Sequence, residues 1–224
     1  VTMALGAEML LSRINDELPG DINVLDLARA PQRFHARHDA VARSYVYQIA
    51  RRRTAFSKPY VWWVREDLDL PRMEAAAQRF VGLRDYRAFS ADDRADAESR
   101  VQVDRVEVLD AAPLILVRVV GSHFLWRMVR RMVGVLVAVG RHEMQPADVD
   151  RLLTDASGET ASLTAPASGL FLERVYYPGD PIPAPIGTVN ALQSWDPDGA
   201  GPLPSVLVAG GSFQVAHATS VQVA

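Results

Sequence analysis

The apolar residues between positions 121 and 140 repeat with the spacing of a helix. At about 100° per residue, six of them share one face: Leu125, Val129, Met132, Val133, Leu136 and Val139. Arg127, Arg130 and Arg131 fall on the opposite face, with Gly134 between them. Glycine costs a helix about 1 kcal/mol relative to alanine, but it leaves room for a close neighbour. From spacing alone, the segment is predicted to be a half-buried helix with a solvated basic face.

Similar patterns predict the other elements. Alternation of apolar and polar residues predicts strands over residues 44–50, 101–109 and 114–120, and a last strand over 169–177. Helical spacing predicts helices over residues 4–18, 72–81, 125–140 and 146–154, and a short strand is expected at 22–25. Strands and helices in this order predict an α+β fold, with residues 33–179 forming one unit.

The end of the chain differs in composition from the rest. Residues 180–224 contain no Lys or Arg, but six prolines and five glycines. We expect them to form an appended, partly disordered tail. The stretch from Val208 to Phe213, which contains two consecutive glycines, is the candidate for a hairpin turn in this tail.

Composition excludes several classes of protein. The 224 residues include 49% hydrophobic and 23% charged residues, which is ordinary for a globular protein with a sizeable core. The absence of cysteine excludes disulfides and thiolate metal sites and is compatible with a reducing cytoplasm. Arginines interrupt the longest apolar segment, so no membrane span is predicted. No signal peptide is recognisable in the first residues, and no phosphate-binding loop, dinucleotide fingerprint or zinc motif is present.

The net charge of −3 hides a strongly uneven distribution. Residues 33–60 contain seven basic side chains and one acid, Asp39, and residues 121–142 contain four arginines and no acid. Phosphate recognition requires a local positive surface, not a positive total. Arginine, which outnumbers lysine here, offers a planar fork to phosphates, although GC-rich coding explains the same bias.

Four short segments are candidates for chemistry, and one of them, residues 85–90, carries no specific signal on its own. Tyr45 and Tyr47 lie on the same face of a predicted strand, where a base could stack on an aromatic ring or the rings could pack in the core. His123 precedes the long helix and is interpreted as a hydrogen-bonding or capping residue more readily than as an acid or base. Gly169 permits close backbone approach, and Leu170 could form an apolar wall beneath a flat ligand. The histidines have no metal-ligand spacing.

Six segments in order resemble the TruA-type tRNA pseudouridine synthases. They span roughly three quarters of the chain: residues 14–22, 34–37, 43–47, 85–89, 124–134 and 169–172. The resemblance implies a pseudouridine synthase fold, in which helices flank a central antiparallel sheet shared by two related halves. Residues 33–179 would form one complete half, the C-terminal catalytic and RNA-binding subdomain, and residues 1–32 a remnant of the N-terminal subdomain.

The resemblance also implies a function. Such an enzyme is a cytoplasmic homodimer that isomerises uridine to pseudouridine in the anticodon arm of tRNA, without a metal or organic cofactor. Tyr45 matches the tyrosine that stacks on the target uracil and is a candidate for handling its C5 proton. Leu170 matches the apolar residue beneath the base, and Arg130 matches the arginine that pairs with the catalytic aspartate. Arg37, Arg127 and Arg131 would contact the RNA backbone, and Tyr47 would be structural.

One expected motif is missing. The family's nucleophilic aspartate lies in a Gly-Arg-Thr-Asp segment upstream of Leu18-Pro19-Gly20-Asp21, and the 224 residues contain no such segment. Asp16, Asp21, Asp39 and Asp85 belong to other motifs, so none replaces it. We therefore expect an N-terminally truncated chain that is inactive alone. Two alternatives remain: a non-catalytic RNA-binding module, and a structural protein whose basic helix is merely solvated.

Overall fold

A computed structural model describes residues 6–91, 98–154, 158–180, 192–195 and 206–209. Contacts divide the chain into two units, residues 1–39 and residues 40–224, whereas the sequence placed a boundary after residue 32. In the first unit, helix α1 (Ala7–Glu17) confirms the predicted helix as far as the described residues reach. Residues 22–25 form no strand; instead the Asn15 side chain donates to the Val24 carbonyl at 2.9 Å and accepts from the Val24 amide at 2.7 Å.

A six-stranded sheet organises the second unit. Its strands are β1 (Ala42–Ala50), β2 (Trp62–Trp63), β3 (Gly82–Asp85), β4 (Arg100–Ala111), β5 (Leu114–Gly121) and β6 (Leu170–Tyr176). The order is β2-β1-β5-β4-β3, and β6 also pairs with β1. Every pairing is antiparallel except that of β2 with β1. The sheet confirms the predicted antiparallel core, while the short strands β2 and β3 were not predicted.

The outer edge of β1 is shared by two strands. β6 pairs with its first six residues, so that Tyr47 lies opposite Leu170, and β2 pairs with Ile49 and Ala50. A bulge next to Tyr45 places Leu172 opposite Tyr45 and leaves Glu173 as the extra residue of β6. The bulge directs Glu173 toward the face of the sheet that carries Ser44, whose hydroxyl donates to the Glu173 carboxylate at 2.6 Å.

Four further helices belong to this unit: α2 (Leu70–Ala77), α3 (Met128–Gly140), α4 (Asp148–Thr154) and α5 (Glu159–Ser162). α2 begins two residues before the predicted start at residue 72, where the Asp69 carboxylate accepts the Arg72 amide at 3.1 Å and Pro71 stands in the first turn. It ends at Ala77, and the rest of the predicted helix is a 3₁₀ turn over Gln78–Phe80. Short 3₁₀ turns occur at Lys58–Tyr60, Gln78–Phe80, Arg87–Phe89 and Ala167–Gly169.

The prediction that α3 is half exposed is wrong. Every residue of α3 except Arg130 is buried, because the helix packs against the sheet and α2 on one side and against residues 163–165 on another. It begins at Met128, not Leu125, since Arg127 has a left-handed φ of 65°. Two of the three arginines assigned to a solvated helical face are therefore placed differently, with Arg127 outside the helix and Arg131 buried.

The sheet has two differently built faces. On the helical face, Tyr47, Ile49, Val117 and Val119 join the residues of α2, α3 and α4 in the main core. The other face carries a smaller apolar cluster and a buried ionic cluster around Arg118, whose side chain is 6% exposed. The Arg118 guanidinium binds both carboxylate oxygens of Glu173, at 2.8 and 2.9 Å, and reaches Glu107 at 3.4 Å.

Nine described residues lie in the tail: Asp180, residues 192–195 and residues 206–209. Strands β7 (Leu192–Trp195) and β8 (Val206–Ala209) pair antiparallel, with Leu192 opposite Ala209. The predicted hairpin turn overlaps β8 at Val208 and Ala209, and its remaining residues lie outside the described ones. No helix in the described residues has the length and hydropathy needed to cross a membrane.

Candidate active site

Residues 163–169, here called the site loop, lie against the first turns of α3. The Arg130 guanidinium Nε donates to the Ala165 carbonyl at 2.6 Å, and the Ala165 amide donates to the Arg130 carbonyl at 3.1 Å. Gly134 makes this approach possible, because a Cβ at that position would overlap the Leu163 carbonyl. The sequence expectation that Gly134 admits a close neighbour is confirmed, and the neighbour is the site loop.

Tyr47 holds the other end of the site loop. Its hydroxyl donates to the Pro166 carbonyl at 2.7 Å, and a Cβ on Gly169 would lie 2.7 Å from two atoms of its ring. Tyr47 is fully buried, and this burial raises its pKa above the ordinary range, with the nearby Arg130 charge opposing the rise. The Tyr47 hydroxyl is therefore a hydrogen-bond donor that fixes the loop. Its contacts support the structural interpretation of Tyr47.

Tyr45 and Leu170 border a partly exposed apolar surface. Tyr45 shares the helical face of β1 with Tyr47, and residues directly opposite each other in an antiparallel pair share a face. Leu170, opposite Tyr47, and Leu172, opposite Tyr45, therefore stand beside the two rings. Phe124 meets the Tyr45 ring edge to face, with ring centroids 5.2 Å apart. An apolar surface with an aromatic ring on it suits a flat ligand.

Sequence reasoning did not assign roles to Phe124 and Leu172. Leu172 is 54% exposed, which is unusual for a leucine in a strand beside the core. Its two-residue separation from Leu170 indicates the same face of β6 and could have identified it. Phe124 carries no such signal, because its contact with Tyr45 depends on how the segment before α3 returns to the sheet.

Arg130 is the one residue of α3 that is not buried. Its Nε is committed to Ala165, and it forms no ion pair with any carboxylate in the part of the chain that the structure describes. Asp85 does not meet it: Asp85 lies on β3, at the far edge of the sheet from β1, and accepts the Arg87 amide at 2.9 Å. That backbone hydrogen bond lowers the pKa of Asp85.

The other predicted RNA-contacting arginines lie in three different settings. Arg127 is exposed immediately before α3. Arg131 is only 9% exposed, and its Nη1 donates to the carbonyls of Ala88, at 3.2 Å, and Ser90, at 2.5 Å. Arg37 is exposed in a turn of the first unit. His123 contacts the Ser122 hydroxyl through Nδ1 at 3.1 Å, which agrees with its interpretation as a hydrogen-bonding residue.

Comparison with known proteins identifies the family. Residues 76–178 match the family model for tRNA pseudouridine synthase. The tRNA pseudouridine synthase A of an Exiguobacterium species is 37% identical over 177 residues, which cover 79% of this chain and 72% of the relative. The enzymes of the same name from Syntrophotalea carbinolica and Geobacillus kaustophilus are 41% and 36% identical, and the matches cover 73% and 78% of this chain and 66% and 69% of those relatives. The chain belongs to the TruA-type tRNA pseudouridine synthase family, as its six segments predicted.

Proposed function

We propose that this chain supplies the base-holding and RNA-binding part of an enzyme that isomerises uridine to pseudouridine in the anticodon stem-loop of tRNA. One observation carries the proposal. The site loop holds Arg130 and Tyr47 together and leads directly into Leu170, which lies opposite Tyr47 and on the same face of the sheet as Tyr45. A cation, an aromatic ring and an apolar wall are thereby gathered beside the middle of β1. These are the groups that the resemblance assigns to the reaction.

The proposed reaction rearranges the target nucleotide without adding or removing atoms. The bond between C1′ and N1 breaks, the uracil turns, and C1′ bonds to C5. C5 loses its proton and N1 gains one. The base must first leave the stack, at a cost of a few kcal/mol. We assign the Tyr45 ring to stacking on the uracil, Leu170 to the wall beneath it, and the Tyr45 hydroxyl to the C5 proton.

Arg130 is proposed to hold the catalytic aspartate. A partly buried cation without a counter-ion is costly, so its free guanidinium nitrogens are suited to a carboxylate. The 224 residues contain no Gly-Arg-Thr-Asp segment to supply that carboxylate. We therefore propose that this chain alone binds tRNA without isomerising it, and that a segment carrying the motif completes the site.

Two arginines are proposed to contact RNA phosphates. Arg127 is exposed next to the candidate site, and Arg37 is exposed in the first unit. For Arg131 we propose a structural role in place of the predicted RNA contact, because its guanidinium is buried among backbone carbonyls of residues 88–90. A homodimer in the cytoplasm completes the proposal. Light scattering of the purified chain tests the dimer, and cell fractionation tests the location.

Tritium release from tRNA labelled at uridine C5 tests the reaction. The chain alone is expected to release none, whereas the same chain fused to a segment bearing the Gly-Arg-Thr-Asp motif should release tritium in proportion to pseudouridine formed. Release by the chain alone would show that the missing motif is not required. The alternative, a non-catalytic RNA-binding module, rests on the absence of that motif. It is favoured if the fusion binds tRNA but releases nothing.

A further inference from the structure

The segment after β1 combines positive charge with exposed aromatic rings. Residues 51–60, here called the basic–aromatic loop, contain Arg51, Arg52, Arg53 and Lys58, and no acid occurs between residues 40 and 65. Two large rings in this loop face solvent: Phe56 is 69% exposed and Tyr60 is 55% exposed. A single exposed apolar residue needs no explanation, but two rings among four cations form a distinct surface.

The basic–aromatic loop adjoins the site loop. The Ser168 hydroxyl donates to the Val61 carbonyl at 3.2 Å, which joins the end of one loop to the other. The Tyr60 ring lies beside Phe171 of β6, with ring centroids 6.4 Å apart. The Tyr60 amide also donates to the Ser57 carbonyl at 2.8 Å, so the exposed ring is carried on an ordered turn. Phe171 pairs with Val46, on the opposite face of β1 from Tyr45 and Tyr47, so the basic–aromatic loop meets the end of the site loop from the other face of the sheet.

The cations of the loop are not equally available. Arg51 is paired with Asp110 at 2.7 Å and borders a groove that also carries Glu66, Asp67 and Asp69. This acidic groove bounds the positive surface on that side. The Arg53 guanidinium carbon lies 4.4 Å from the centroid of the Trp63 ring, an arrangement that leaves its N–H groups at the edge of the stack. Arg52 and Lys58 have no ion pair or hydrogen bond from their side chains within the described residues.

We propose that the basic–aromatic loop is a second RNA-contact surface, which binds the tRNA backbone through Arg52, Arg53 and Lys58 and stacks an unpaired nucleotide, other than the target uridine, on Phe56 or Tyr60. The inference rests on the proposed function. Cations that track a backbone, together with rings that accept any base, are the features by which proteins bind single-stranded nucleic acid. An anticodon arm offers both a charged backbone and unpaired loop bases.

Salt dependence of tRNA binding tests the charges. Fluorescence anisotropy with labelled tRNA between 50 and 200 mM salt would measure the binding constant of the wild-type chain and of the triple variant Arg52→Gln, Arg53→Gln and Lys58→Gln. Each lost phosphate contact lowers the slope of log K against log salt by about 0.7 to 0.9, so we expect a decrease of about 2 to 3. Arg84→Gln, on β3 at the far edge of the sheet, removes one charge and should leave the slope unchanged. Lysine at positions 52 and 53 should largely restore it.

Matched ring variants test the stacking. Phe56→Leu with Tyr60→Leu should weaken tRNA binding by about 5-fold or more, whereas Tyr60→Phe should have little effect, because a base stacks on the ring. All these side chains are exposed, so thermal unfolding should be unchanged in every variant. If the charge variants and the ring variants all bind tRNA as the wild type does, the inference is overturned and the proposed function still stands. A wild-type chain that does not bind tRNA at low salt would overturn both.

Discussion

Gly134 of α3 lies directly against the Leu163 carbonyl, so that the helix and the site loop meet without an intervening side chain. Gly134→Ala should therefore destabilise the protein by about 2 kcal/mol or more, although alanine is the better helix former, because the loop backbone must move. Chemical denaturation measures the change. Gly20→Ala is the matched control, since nothing lies within 4 Å of a Cβ there. A stabilised Gly134→Ala variant would show that the loop is not held against the helix.

Tyr47 and Tyr86 should make the protein sensitive to alkali. Burial raises the pKa of both phenols above the unfolded value of about 10, with Arg130 and Arg84 respectively opposing the rise. Above that pH the unfolded chain loses these protons while the folded chain keeps them, so stability should fall by about 1.4 kcal/mol per pH unit for each phenol.

Denaturation between pH 8 and pH 11.5 measures this alkaline loss. Tyr47→Phe should make the fall of stability with pH less steep by the contribution of one phenol. At neutral pH the same variant should lose about 1 kcal/mol of stability, because the hydrogen bond to the Pro166 carbonyl is gone. Tyr60→Phe, which removes an exposed hydroxyl, should leave the slope unchanged. Equal slopes in the wild type and Tyr47→Phe would contradict the assignment of Tyr47 as a buried donor.

The Arg118–Glu173 pair, on the face of the sheet opposite the helices, should contribute strongly to stability. Glu173→Gln leaves the 6% exposed Arg118 without its bidentate partner, and we expect a loss of about 3 kcal/mol. Glu66→Gln breaks the more exposed pair with Arg141 and should cost less than about 1 kcal/mol. Similar losses in the two variants, measured by urea denaturation, would mean that the Arg118 cluster behaves as a surface pair.

Arg130 and Arg127 should affect different steps. In a chain fused to a segment that bears the Gly-Arg-Thr-Asp motif, Arg130→Lys should lower kcat by about 100-fold or more with little change in tRNA affinity, because lysine cannot hold both Ala165 and a carboxylate with the same geometry. Arg127→Gln should instead weaken binding and lower its salt slope by about 0.7 to 0.9. Single-turnover kinetics separates the two effects. A binding defect in Arg130→Lys as large as the rate defect would remove Arg130 from its proposed role.

Periodicity predicted the elements that are long and buried on a regular face. Residues 44–50 alternate, and the same two-residue period placed Tyr45 and Tyr47 on one face of β1. Trp62–Trp63 and Gly82–Asp85 were missed because two residues cannot show a period and β3 has no buried apolar position. The burial of Arg131 could not be predicted, since it depends on carbonyls about forty residues away along the chain. The contact between Arg130 and Ala165 was hidden for the same reason.

The two loops of the proposed RNA surface end at almost the same point of the sheet. The site loop passes into β6 at Leu170, opposite Tyr47, and the basic–aromatic loop passes into β2 at Trp62, opposite Ile49. Two loops that are distant in sequence are therefore positioned by pairing with Tyr47 and Ile49, two residues apart on the same strand. A slip of β1 by one position would misplace both loops together, so the hydrogen-bond ladder of β1 fixes the spacing between the site loop and the basic–aromatic loop.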